Sequence, residues 1–181
     1  MIIRKFVNSF TEPLVSGFRG NLLALTRYFT DFTSSLSQYV ELSSAVTLSG
    51  DFEIEFDLAV AANPSQTKAI IGSFTQNQDF IGLLSTGAVR VDINGLQYDY
   101  AATVSLGELN RVVVNRTGST GTVSINGVSE SLTVSTGALL LETVMAGLLT
   151  PRYTDGIISN LKITDGTTLV IDMPIDEDGS D

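Results

Sequence analysis

Hydrophobic and polar residues alternate most clearly over residues 37–58, where Phe52, Ile54, Phe56 and Leu58 fall on one side and Asp51, Glu53, Glu55 and Asp57 on the other. A period of two marks a strand with one face on a core, and the Gly50-Asp51 step before it predicts a turn between two half-buried strands. Val89, Val91 and Ile93 alternate with Arg90 and Asp92, and Asn94-Gly95 then offers a type I′ turn into residues 96–100. Residues 111–115, 122–125 and 128–134 predict three consecutive antiparallel strands, turned at 116–121 and at Asn126-Gly127. A last pair, 156–164 and 167–173, meets at Asp165-Gly166. At least ten strands separated by short turns predict an all-β, two-sheet antiparallel sandwich. One segment reads two ways. Leu22, Leu25, Phe29, Phe32 and Leu36 follow a 3, 4, 3, 4 spacing behind a possible Asn21 cap, which suits a short helix. Against it, Thr26, Tyr28, Thr30, Thr33, Ser34 and Ser35 are poor helix formers, and residues 28–32 suit a strand.

The start of the chain is chemically distinct. Residues 1–23 carry three cations (Arg4, Lys5 and Arg19) against Glu12, whereas residues 24–181 carry seven cations against nineteen acids. The same segment holds Ile2, Ile3, Phe6, Val7, Phe10, Leu14, Val15 and Phe18, too apolar for a solvated tail, and we read it as an extended docking arm. Arg4 and Lys5 resemble the charged end of a signal peptide, but Asn8, Ser9, Thr11, Glu12 and Pro13 interrupt the apolar run, so neither a cleaved signal nor a membrane span is expected. The expected organisation is an arm at 1–23, a sandwich at 24–175 and an acidic tail at 176–181.

Composition narrows the chemistry. The 181 residues include no cysteine and no histidine, which removes disulfides, thiolate metal sites and the usual catalytic base and transition-metal ligand. A net charge of −10 argues against nucleic acid as a partner, because phosphate recognition needs a basic surface.

Four segments carry a family resemblance: residues 32–42, with Phe32, Tyr39, Val40 and Leu42; residues 48–54; the block 107–128; and residues 153–163, with Tyr153, Gly156, Ile158, Leu161 and Ile163. In order and spacing they resemble laminin-G-like and pentraxin-like domains, within the concanavalin A-like lectin and glucanase jelly rolls. The resemblance implies a sugar- or protein-binding sandwich, calcium-dependent in some members. The chain departs from the family at Leu109 and Asn110, where a Trp-His pair is usual, and it has no tryptophan to stack on a sugar.

Tyr153, beside Arg152 in a predicted loop, is then the exposed aromatic candidate for ligand binding, while Tyr98 and Tyr100 share a strand face with Leu96 and read as core or cross-strand residues. Asp79, with Asp155 across the sheet end, is the place where the resemblance would put calcium; ordinary turn chemistry explains both residues as well, and no metal or other cofactor is expected. Glu53, Glu55 and Asp57 lie on one strand face and could supply a nucleophile and an acid about 5–7 Å apart, as a retaining glycosidase needs. They lack the glucanase order and its aromatic neighbours, and a solvated outer face is the expectation, so no catalytic residue is assigned. An apolar arm on an acidic, Ser/Thr/Gly-rich sandwich resembles bacteriophage tail, collar, fibre or head-decoration proteins. The expected function is therefore a non-enzymatic virion-surface module whose arm (Ile2, Ile3, Phe6, Val7, Phe10, Leu14, Phe18) docks on other virion proteins or further copies, and whose sandwich cements the particle or binds host glycans. The alternative is a secreted or cell-surface bacterial carbohydrate-binding module; a glycoside hydrolase comes third.

Overall fold

The computed structural model describes residues 30–32, 39–73, 79–146 and 154–173. The arm at 1–23, the tail at 176–181, Arg152 and Tyr153 lie outside the described residues. Within them the chain forms thirteen strands: β1 (Thr30–Phe32), β2 (Val40–Leu48), β3 (Phe52–Ala59), β4 (Lys68–Gly72), β5 (Phe80–Leu83), β6 (Ala88–Ile93), β7 (Leu96–Thr103), β8 (Asn110–Thr117), β9 (Thr120–Ile125), β10 (Val128–Thr133), β11 (Leu139–Val144), β12 (Gly156–Asp165) and β13 (Thr168–Met173). One sheet runs β1-β12-β3-β8-β9-β10, with β13 also on β12; the other runs β2-β11-β4-β5-β6-β7. Every pairing is antiparallel. The fold is an all-β jelly-roll sandwich, as the alternation requires. Among the described residues no helix is long and apolar enough to cross a membrane.

The apolar side of each strand faces the other sheet. Phe56, Leu58 and Ile54 from β3 meet Val112 and Val114 of β8 and Ile158, Leu161 and Ile163 of β12, and pack against Leu139 and Leu141 of β11 and Val89, Val91 and Ile93 of β6 in one continuous core. Each such fully buried side chain contributes about 1.5–3 kcal/mol by leaving water. Residues 30–32 take the strand, not the helix, of the two readings of segment 22–36. The turns at Asn94-Gly95 and Asn126-Gly127 have positive φ at both residues (51° and 81°, 53° and 84°), the geometry that type I′ hairpins need.

The registers define two poles. Phe52 pairs with both Arg116 and Asp165, so the β2–β3, β8–β9 and β12–β13 turns share one pole. In the other sheet Leu48 pairs with Leu139 and Ile93 with Leu96, and Arg116 reaches across to Gly50 and Gly137, which puts the β6–β7 turn and the 134–138 loop at that same pole. The β9–β10 turn and the 104–109 loop lie at the opposite pole, where Asn110, wholly buried, donates to the Leu58, Ser105 and Glu108 carbonyls and accepts from Ser105 N and Asn126 Nδ2.

The two lateral sides differ. On one, Glu130 of β10 reaches over the edge of β7, and one of its carboxylate oxygens accepts from Ala101 N at 2.6 Å and Ala102 N at 3.2 Å. On the other, β1 and β13 lie end to end along β12: Thr30 pairs with Ile158, and Met173 with Leu161. The chain therefore joins the sheet and leaves it at neighbouring points, three residues apart on β12, or roughly 10 Å.

Candidate functional site

A pocket of about 280 Å³ opens at the turn-bearing pole, lined by Thr47, Asp79, Asn94, Ala138 and Leu140. This is just under the usual volume of small-molecule sites and fits one small ligand such as a sugar ring. Asp79 organises it. Its residue is only 2% exposed, Oδ1 accepts from Asn94 N at 2.6 Å, and Oδ2 accepts from Leu140 N at 3.0 Å. One carboxylate thus fastens the β6–β7 turn and the first residues of β11 onto the start of β5. Thr47, exposed at the end of β2, adds a hydroxyl to the rim, and Asn94 an amide.

The 134–138 wall is held from beneath by Arg116, a β8 side chain buried to 2% exposure. Its guanidinium donates to the Ser135 and Gly137 carbonyls and, through both Nε and Nη2, to the Gly50 carbonyl, and it lies 4.9 Å over the Phe52 ring. Burial pulls its pKa below the ordinary value. Ser135 N donates to the Tyr98 hydroxyl at 2.8 Å, and Gly137 packs closely enough on Asn94 that a Cβ would come within 3.2 Å of the Asn94 Cβ. Behind Asp79 lies a second buried carboxylate, Asp92 of β6. Gln97 and Gly95 N donate to it, yet its Oδ1 has no partner. Desolvation raises its pKa, and repulsion from Asp79 acts in the same direction.

The other sequence candidates sit elsewhere. Tyr98 and Tyr100 point inward; Tyr100 is buried, with its pKa pushed up to about 12 by desolvation and by the nearby Glu130. Gly121 makes room for it, since a Cβ there would lie 2.7 Å from the Tyr100 hydroxyl. Asp155 is exposed and follows Thr154, which bonds to Ala69 and Met145 at the far ends of β4 and β11, so the structure does not bring it to Asp79. Among the described residues no three Asp or Glu side chains are grouped to hold a metal ion. The expected solvated outer face of β3 is corrected at Asp57, which is 8% exposed. Arg111 of β8 donates to Glu55 at 2.6 Å and to Asp57 at 3.2 Å, and Asn160 donates to the other Asp57 oxygen at 2.6 Å. A bulge in β12 and a positive φ of 51° at Asn160 aim that amide. Two carboxylates sharing one guanidinium form an ion-pair clasp between β3 and β8, to which the Asn160 amide ties β12. Thr47, Asn94, Leu140 and Arg116 carried no sequence signal of a pocket; Asn94 was legible only as a turn residue.

No family model matches the chain, and no curated protein matches it. Solved structures share its fold. A putative carbohydrate binding protein from Bacteroides ovatus superposes with a TM-score of 0.57 at 11% identity, over 79% of this chain and 50% of that one. The heptameric SAP-like pentraxin of Limulus polyphemus gives 0.52 at 13%, over 77% and 70%. The enzymatically active domain of tailspike protein 2 from bacteriophage CBA120 gives 0.50 at 11%, over 83% and 32%. The chain spans 21% of the Trypanosoma rangeli sialidase chains it also matches. At these identities the likeness is one of fold, and it agrees with the pentraxin-like resemblance in the sequence.

Proposed function

We propose that this chain is a non-enzymatic carbohydrate-binding sandwich displayed on a surface, and that the pocket between the β6–β7 turn and the 134–138 loop is its glycan site. The observation that carries the reading is the preformed pocket itself. Its walls are fixed by buried polar anchors, Asp79 and Arg116, while its rim offers a hydroxyl, an amide and an aliphatic face, the mixed lining that a sugar ring uses. Fold-level likeness to a putative carbohydrate binding protein and to a phage tailspike domain supports the same class. Because the rim carries no cation, it suits neutral sugars, with no metal needed to hold them. Titration with a panel of neutral mono- and oligosaccharides, followed by NMR shifts of Thr47, Asn94 and Leu140, tests it. Ala138→Phe should fill the pocket and abolish the shifts while the fold stays intact; shifts confined to other residues, or unaffected by Ala138→Phe, refute this site.

The setting is a bacteriophage particle, with residues 1–23 as the anchor and the sandwich outward; a secreted or cell-surface bacterial module is the competing setting. Particles assembled with a chain lacking residues 2–20 should lose the protein if the arm is the anchor, and retention of that chain would remove the virion reading. The Glu55–Arg111–Asp57 clasp favours a structural use of these carboxylates. β-Glucan hydrolysis that disappears on Glu55→Gln would instead make the chain a glycosidase.

A further inference from the structure

The two lateral sides of the sandwich are not equivalent as docking surfaces. On one side the Glu130 carboxylate occupies the Ala101 and Ala102 amides of β7. On the opposite side β13, among the described strands, pairs only with β12, and it exposes Leu169 by 53% and Val170 by 41%. The β12–β13 register shifts between Ile163 and Thr164, so that Val170 has no partner opposite it on β12. Such an edge presents backbone donors and acceptors beside apolar side chains, the pattern that recruits another chain by strand addition.

We propose that the β13 edge receives the N-terminal arm of a second copy of this chain. The proposal rests on the reading of residues 1–23 as a docking arm and adds the surface on which it docks. Three observations select the arm of another copy. Twenty-nine residues precede Thr30, and Thr30 pairs on β12 three residues from the partner of Met173, so the described chain begins on the same side as β13. Extended, they span up to roughly 100 Å, enough to reach a neighbouring molecule. The charge is complementary: the arm carries Arg4, Lys5 and Arg19, while the β13 edge carries Asp172 and leads into Asp176, Glu177 and Asp178. Two β13 edges facing each other would bring like charges together, so arm-to-edge is favoured over edge-to-edge. An arm passing from one copy to the next is a head-to-tail contact, which builds rings or filaments and not a closed two-fold dimer.

A complementation experiment on full-length chains tests it. One variant, Leu169→Lys with Val170→Glu, spoils the edge at exposed positions and keeps the arm; the other, Phe6→Asp with Phe10→Asp, spoils the arm and keeps the edge. Light scattering over a range of concentrations should show the unaltered chain associating, and less so as salt is raised. Each variant alone should associate at least tenfold more weakly, and a one-to-one mixture should recover a complex containing one of each. Association of the arm variant by itself would replace the proposal with edge-to-edge pairing. An unaltered chain that stays monomeric, or a mixture that recovers nothing, overturns it. Saccharide titration of the same two variants should be unchanged, which separates failure here from failure of the pocket reading.

Discussion

Asp92 lies on the outer side of β6, 2% exposed, with Oδ1 unpartnered. Desolvation raises its pKa above the ordinary 3.8, so the folded protein binds this proton more readily than the unfolded chain does. Ionised Asp92 therefore costs stability in full above its folded pKa, and that cost fades as pH falls from there towards the ordinary carboxylate value. Asp92→Asn should raise the urea midpoint at pH 7 and lose that advantage near pH 3; an equal effect at both pH values would mean that packing, not charge, sets the cost. Arg116 is the opposite case, a buried charge whose donors are used on three carbonyls. Arg116→Leu would leave those carbonyls without a partner, at a cost of at least about 3 kcal/mol in denaturant unfolding. Because the 134–138 wall loses its support, saccharide affinity should fall with it.

At the scale of elements, pairing depends on a few close approaches. Gly82 of β5 faces Ala69 across the β4–β5 ladder, where a Cβ would overlap the Lys68 carbonyl oxygen. Gly82→Ala should therefore destabilise the protein by about 1–3 kcal/mol, read by thermal unfolding, since backbone must move to admit the methyl group. The strands themselves were legible in the sequence because apolar and polar residues alternate along β3, β6 and β8, and their Gly-containing turns name their own geometry. The pocket was not legible. Asp79 acts by accepting from Asn94 and Leu140, 15 and 61 residues away, and Arg116 reaches Gly50, 66 residues back. Such bonds to backbone atoms leave no periodicity and no motif, so a buried carboxylate at a strand end reads the same as an ordinary turn residue. Asp57 misled for a related reason: its alternation with Phe56 and Leu58 is that of a solvated face, but an arginine from β8 and a bulge in β12 cover it.

For the whole molecule the arrangement of functions is spatial. The pocket occupies the pole of the β2–β3, β6–β7 and β12–β13 turns, while both ends of the described chain meet on one lateral side. A tether at that side would leave the pocket-bearing pole uncovered. Glu130 narrows where on β7 a neighbouring strand can add. With one carboxylate oxygen on the Ala101 and Ala102 amides it takes two β7 donors away from an incoming strand. Glu130→Ala should free those donors, and light scattering should then show stronger association than the unaltered chain gives at the same concentration. A single acidic side chain on β10 would in that case act as the guard of one flank of the sandwich.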